Sequence, residues 1–167
     1  MEHWFTPWRG SYVSSARSEA DCILCSISRS RSDRENLVLL RAAENYILVN
    51  RFPYNNGHLM IVPYRHCAFL EELEPTARGE MIELDALCEN ALRSAYRPEG
   101  LNLGINLGRI AGAGIDEHLH LHILPRWSGD TNFMTVVGGT RIIPEETGAT
   151  YERLEPLLRE GRGDAEK

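Results

Sequence analysis

The sequence predicts an α+β domain built on an antiparallel sheet, and three features of the 167-residue chain carry that expectation. Five short strand-like runs lie at hairpin-like spacing, and one long segment between them has helical periodicity. Neither an internal repeat nor an interdomain linker interrupts the pattern, and a chain of this length buries one core without disulfides.

Residues 1–21 read as an irregular arm, too aromatic at Trp4 and Trp8 for a free tail, that folds back onto the domain or a partner subunit. The polar segment 29–36 (RSRSDREN) reads as a loop. Leu37–Leu40 and Tyr46–Asn50 follow as strands, joined by a turn around Ala43–Asn45. Pro53 and the Asn55-Asn56-Gly57 cluster mark a loop that leads into a strand at His58–Pro63. In Pro75–Tyr96 the residues Met81, Leu84, Cys88, Leu92 and Ala95 recur at three- and four-residue intervals, which predicts a helix. Pro75 suits its first turn, while Pro98 and Gly100 end it.

Leu101–Leu107 alternates as a half-buried strand should, Gly108–Gly114 (GRIAGAG) is a glycine-bearing turn, and His118–Leu124 is the fifth strand. Pro144–Arg159 reads as a C-terminal helix broken near Gly148 and Pro156, with a charged tail behind it. The whole is expected to be a single domain, with an arm (1–21), a core (22–127) and a C-terminal extension (128–167).

The composition, 43% hydrophobic and 25% charged, is that of a soluble globular protein. A formal charge of −6 argues against a broad electrostatic grip on nucleic acid, but leaves a nucleotide substrate open, since a few local donors suffice for phosphates. No positive n-region with an apolar h-region opens the chain, and no apolar run approaches the ~20 residues of a membrane span. A cytoplasmic location without membrane contact is the expectation. In that compartment Cys22-Ile-Leu-Cys25 reads as metal-binding or redox chemistry rather than a disulfide framework.

The sharpest chemical feature is His118-Leu119-His120-Leu121-His122. On a strand, alternate side chains share one face, so the three histidines point one way and Leu119, Leu121 and Ile123 enter the core. A polar strand face or an all-histidine metal site are the other readings. The cysteine pair needs partners to hold zinc in a tetrahedron; His66 and His118 are both available, and two unpaired buried cysteines are the alternative.

Together these residues resemble the histidine triad (HIT) family, and the likeness runs through Asn50-Arg51-Phe52-Pro53-Tyr54-Asn55-Asn56-Gly57-His58 and the strand after it. The WFTPWR start and EHLHLHILPRWSGDTNFM are similar to a bacterial branch of the family, the diadenosine tetraphosphate phosphorylases. The resemblance implies a five-stranded antiparallel HIT-like sheet with one long helix and a C-terminal helix. It also implies a homodimer joined edge to edge, and catalysis by nucleotidyl transfer from a dinucleoside polyphosphate to phosphate or water. His120 would be the nucleophile on the α-phosphorus, His122 would hold the transferred group, and His118 would orient the strand. A distant relative, galactose-1-phosphate uridylyltransferase, suggests structural zinc on Cys22, Cys25, His66 and His118.

For the nucleotide, the resemblance points to Asn50 at the ribose. Ile23, Leu24, Ile27 and Phe52 are candidates for the walls around the base or else plain core, and Asn106, on the strand beside the triad, is a candidate for phosphate oxygens or else a surface residue. His58 reads as a structural histidine behind the site. Gly114 and Ile115 stand where many members carry Gln, Ser or Thr, so backbone N–H groups of the Gly112–Gly114 turn would take over phosphate contacts. Trp127 stacks on a second base or closes the pocket, or is an ordinary core tryptophan. Hydrolysis of nucleoside phosphoramidates or adenylated amines, and non-catalytic nucleotide sensing, are the rival functions. The aromatic start and the RWSGDTNFM segment favour the first reading over phosphoramidates, and an intact triad argues against a pure sensor.

Overall fold

The computed structural model describes residues 22–131, 137–139 and 145–165, so the arm with Trp4 and Trp8 and the start of the C-terminal helix at Pro144 lie outside the described residues. Its elements are α1 (Ile23–Arg29), β1 (Val38–Arg41), β2 (Asn45–Val49), β3 (Leu59–Pro63), α2 (Pro75–Tyr96), β4 (Gly100–Ile105), β5 (Leu121–Arg126) and α3 (Thr147–Ala165). The strands form one five-stranded sheet in the order β1-β2-β3-β5-β4, antiparallel at every pairing. No helix among the described residues is long and apolar enough to cross a membrane.

The sheet has two faces with different duties. Alternate residues Leu39, Ile47, Val49, Leu59, Ile61, Leu121 and Ile123 join Met81, Leu84, Cys88 and Leu92 of α2 and Leu154 and Leu158 of α3 in the main core. The other parity, Val38, Tyr46, Leu48, Met60 and Val62, packs against Cys22, Leu24 and Cys25 on the short α1. Strands β2 and β3 are buried on both faces, as their apolar NYILV and LMIVP runs require.

The long helix spans the segment that its periodicity predicts, entered by Pro75 and closed by Arg97 in the left-handed region at φ 47°. The C-terminal helix differs from expectation by running unbroken through Pro156. Pro156 and Glu152 both lie on the exposed side, so the carbonyl left without its intrahelical donor faces water. Helix α1 has no sequence signal: it is seven residues long and its N-cap Cys22 makes no side-chain capping bond. It is held from outside, by the Tyr46 hydroxyl donating to the Leu24 carbonyl at 2.8 Å and by Arg41 donating to the carbonyls of Ile27, Ser28 and Ser30 at its C-terminal end.

The fifth strand begins inside the triad, at Leu121 rather than His118. Its ladder with β3 runs from Leu59↔Ile123 to Ile61↔Leu121, leaving His118–His120 upstream of the pairing. That stretch keeps its alternation, with Leu119 in the core, because the Leu119 N–H donates to the Cys67 carbonyl at 2.7 Å instead of to a strand. The Pro63 carbonyl at the end of β3 is engaged by the His118 ring. Strand β4 is an edge strand and more exposed than a half-buried strand would be, with Leu103 47% exposed.

One buried charge stands out in the core side of α2. Asp85 is 7% exposed, and its Oδ1 has no hydrogen-bond partner among the described residues. Burial, with a smaller push from the Glu89 carboxylate, raises its pKa to about 6. The folded state therefore holds a proton that the unfolded state releases near pH 4, and stability falls as pH rises through the window from about 4 to about 6. Asp85→Asn is expected to raise Tm at pH 8 by more than at pH 4.5. An equal shift at both pH values would show that the carboxylate charge is not the cause.

Candidate active site

The sheet register assembles the site. Leu48 pairs with Met60, Met60 with His122, and His122 with Gly104, so these four form one row across the face that carries α1. A cavity of about 340 Å³ opens between that row and the helix. Of the residues expected there, Ile23, Leu24, Ile27, Asn50, Phe52, Gly114, His120 and His122 line it. The structure adds Asn36, Val49, Arg51, Tyr54 and Ile115 to Leu48 and Met60. Asn106, Gly112 and Trp127 lie outside the lining. Gly112, at φ 93°, closes the 3-10 turn Arg109–Ala111, and the chain reaches the cavity two residues later at Gly114. The Trp127 ring instead meets Tyr96 of α2 edge-on, with centroids 6.4 Å apart.

The ring of His120 is held by its own strand: Nδ1 donates to the His118 carbonyl at 2.8 Å. The lone pair is therefore on Nε2. Burial lowers the pKa of His120 against a smaller opposing effect of that backbone bond, so the imidazole is neutral at pH 7. A neutral, oriented imidazole nitrogen in an apolar cavity is a nucleophile.

His122 is polarised the other way, through a chain that begins at the backbone. The Tyr54 N–H donates to His58 Nδ1 at 3.1 Å, so the His58 proton is on Nε2, which lies 2.9 Å from His122 Nδ1. His58 thus donates to Nδ1 of His122, and the proton of the His122 ring is on Nε2. The Asn50 amide also approaches His58 Nδ1, at 3.3 Å, while its Oδ1 accepts the Phe52 N–H at 2.9 Å. The rings of His120 and His122 meet edge to face with centroids 4.7 Å apart. One offers a lone pair and the other an N–H. The sequence reading placed His58 behind the site as a structural residue; a contact 64 residues away in the chain leaves no local signal.

The third histidine faces away from the cavity's chemistry. His118 Nε2 donates to the Pro63 carbonyl at 2.9 Å, which leaves Nδ1 as its lone-pair nitrogen. That atom is 3.3 Å from Cys22 Sγ, 3.4 Å from Cys25 Sγ and 3.3 Å from His66 Nδ1; Cys25 Sγ is 3.3 Å from His66 Nδ1. All four ligand atoms lie within 4.8 Å of one another, and they can form a metal site. Zinc bonds of about 2.0–2.1 Å to nitrogen and 2.3 Å to sulfur imply tetrahedral edges of about 3.3 Å for N···N and 3.6 Å for S···N. The observed spacings agree within a few tenths of an ångström, so the donor set fits zinc.

A family model for the HIT domain matches residues 31–129 of this chain. The AP-4-A phosphorylase of Mycobacterium tuberculosis H37Rv is 38% identical over 153 residues, which span 87% of this chain and 78% of that protein. The adenylylsulfatase HINT3 of Arabidopsis thaliana is 33% identical over 118 residues, spanning 71% of this chain and 58% of that one. Among solved structures, a zinc-bound histidine triad family protein from Mycobacterium smegmatis matches with a TM-score of 0.68 at 21% identity, over 90% of this chain and 100% of that one. A hypothetical histidine triad nucleotide-binding protein from Sulfolobus tokodaii gives 0.64 at 26% identity, over 87% and 94%.

Proposed function

Because the chain belongs to the histidine triad (HIT domain) family, we propose that it is a nucleotidyltransferase that cleaves a dinucleoside polyphosphate such as diadenosine tetraphosphate through a nucleotidyl-histidine at His120. The observation that carries this reading is the pairing of a neutral His120 whose Nδ1–H is already committed with a His122 whose proton is on Nε2, in one apolar cavity.

In the first step Nε2 of His120 forms a bond to the α-phosphorus as the P–O bond to the remaining polyphosphate breaks. The Nε2–H of His122 donates to an oxygen of the group in transfer, where negative charge accumulates. In the second step an acceptor oxygen attacks the same phosphorus, the N–P bond breaks and the electron pair returns to Nε2. With phosphate as acceptor, diadenosine tetraphosphate gives ADP and ATP; with water it gives AMP and ATP. The likeness to a phosphorylase favours phosphate. Asn50, Ile23, Leu24, Ile27 and Phe52 are the nucleoside contacts in this account.

Cys22, Cys25, His66 and His118 would hold a structural zinc, which would supply folding free energy without entering a chemical step. Its influence on catalysis would be positional, through the His118 carbonyl that orients His120.

The single-domain reading is supported by Tyr151, Leu154 and Leu158 of the C-terminal extension, which sit in the same core as α2. A homodimer joined along β4 is supported by the exposure of that edge strand and of Leu107 and Ile110 beyond it. A cytoplasmic location is supported by the four free cysteines among the described residues, since thiols persist in a reducing compartment.

Two measurements belong here. Incubation with diadenosine tetraphosphate, with and without inorganic phosphate, is expected to give ADP and ATP only when phosphate is present. AMP and ATP regardless of phosphate would make water the acceptor, and no turnover would overturn the substrate assignment. His58→Asn is expected to lower kcat by about 10–100-fold, the usual cost of losing a group that orients a functional imidazole, with nucleotide Kd nearly unchanged. An unchanged kcat would show that the His122 proton is placed by something other than His58.

A further inference from the structure

The cavity's polar groups differ in what they have left to offer a ligand. Asn50 already accepts the Phe52 N–H through Oδ1 and approaches the His58 ring through Nδ2. Arg51 donates through Nη2 to the Glu35 carbonyl at 2.6 Å, which latches the loop after β2 onto the turn before β1. Asn36 sits in that turn, half-buried, and lines the cavity.

The orientation of the Asn36 amide is fixed by its partners. Nδ2 donates to Ser30 Oγ at 2.9 Å and to the Ser32 carbonyl at 3.0 Å. A carbonyl can only accept, so the nitrogen must face Ser32, and both amide hydrogens are used. What remains is Oδ1, an acceptor with no partner among the described residues. The backbone holds it there: the Asn36 N–H donates to Ser32 O at 3.0 Å, and the Val38 N–H donates to Asp33 O at 2.8 Å. The next residue, Leu37, is at φ 59°, a region bulky residues avoid, while its side chain stays in the main core. Such a conformation persists only where the surroundings over-determine it.

Ile23, Ile27 and Leu48 of the same lining are apolar and offer a base contact without direction. An oriented acceptor beside apolar walls selects for a donor on the ligand. We propose that Asn36 is a base-specificity residue, whose Oδ1 accepts a hydrogen bond from the exocyclic amino group of the bound nucleobase and disfavours a base that carries an oxo group at that position. The selected class is amino bases such as adenine, against hypoxanthine or guanine, whose O6 would meet Oδ1 acceptor to acceptor. The inference rests on the reading of this cavity as the nucleotide site.

AMP and IMP differ at this edge of the purine, amino against oxo, and serve as probes for titration calorimetry with the full-length protein. The wild type is expected to bind AMP about tenfold more tightly than IMP, the scale of one unsatisfied polar contact at a partly solvated site. Asn36→Ala is expected to bring the ratio within about twofold. A role confined to shaping the turn would weaken AMP and IMP alike and leave their ratio unchanged, so the ratio separates recognition from shaping. Equal binding of AMP and IMP by the wild type, a preference for IMP, or an unchanged ratio in Asn36→Ala would overturn the proposal while the nucleotide site stands. Failure of both nucleotides to bind would instead overturn the nucleotide-site reading, and this proposal with it.

Discussion

Replacing His120 by alanine is expected to lower turnover of diadenosine tetraphosphate by about 10³-fold or more while AMP binds within a few-fold of the wild type. Loss of a nucleophile acts on that scale in other covalent enzymes, because no neighbour takes over the bond-forming role. The cavity is consistent with so sharp an effect. Its described lining contains no serine, threonine, cysteine or lysine, and His122 has its Nδ1 occupied by the His58 bond. Binding should survive, since the apolar walls from α1, β2 and β3 do not depend on the ring. Steady-state kinetics with calorimetry on the same preparation checks both halves. A variant that keeps a tenth of the wild-type rate would remove His120 from the role given to it.

Cys25→Ser is expected to abolish stoichiometric zinc and lower Tm by about 10 °C or more. Cys25 Sγ approaches both His66 Nδ1 and His118 Nδ1, so its loss opens the ligand set on two sides. A structural zinc contributes folding free energy directly, and in a domain of this size several kcal/mol corresponds to roughly that shift in Tm. The effect should reach the nucleotide, since α1 carries Cys25 together with the walls Ile23, Leu24 and Ile27. Weaker AMP binding is therefore expected alongside the lost metal, and stripping the wild type with a chelator should reproduce both. Elemental analysis of the purified wild type decides the premise: absence of stoichiometric zinc would return the two cysteines to an ordinary buried pair.

Much of this site was legible in the chain because its signals are local or periodic. Helix α2 declares itself through a proline at its first turn and an apolar repeat, and the structure gives the same span, Pro75–Tyr96. The alternation of His118, Leu119, His120, Leu121 and His122 sorts the side chains correctly even though the ladder starts only at Leu121. What escaped is tertiary. Helix α1 is too short to be stable alone and exists because Tyr46 and Arg41 hold its carbonyls. The link from Tyr54 through His58 to His122 joins segments that meet only once β3 pairs with β5. Asn36 sits in a polar loop that looked unremarkable, and its role depends on which way one amide is turned. Asn106, Gly112 and Trp127 do not line the cavity; Gly112 closes the Arg109–Ala111 turn and the Trp127 ring packs on Tyr96.

The covalent step is tested most directly by the stereochemical course at the α-phosphorus. A dinucleoside polyphosphate made chiral there with sulfur and an oxygen isotope, turned over with phosphate as acceptor, reports the number of displacements without requiring an intermediate to accumulate. Two in-line displacements, on and off His120, predict net retention of configuration. Net inversion would mean that the acceptor attacks the substrate directly, and His120 would then be no nucleophile.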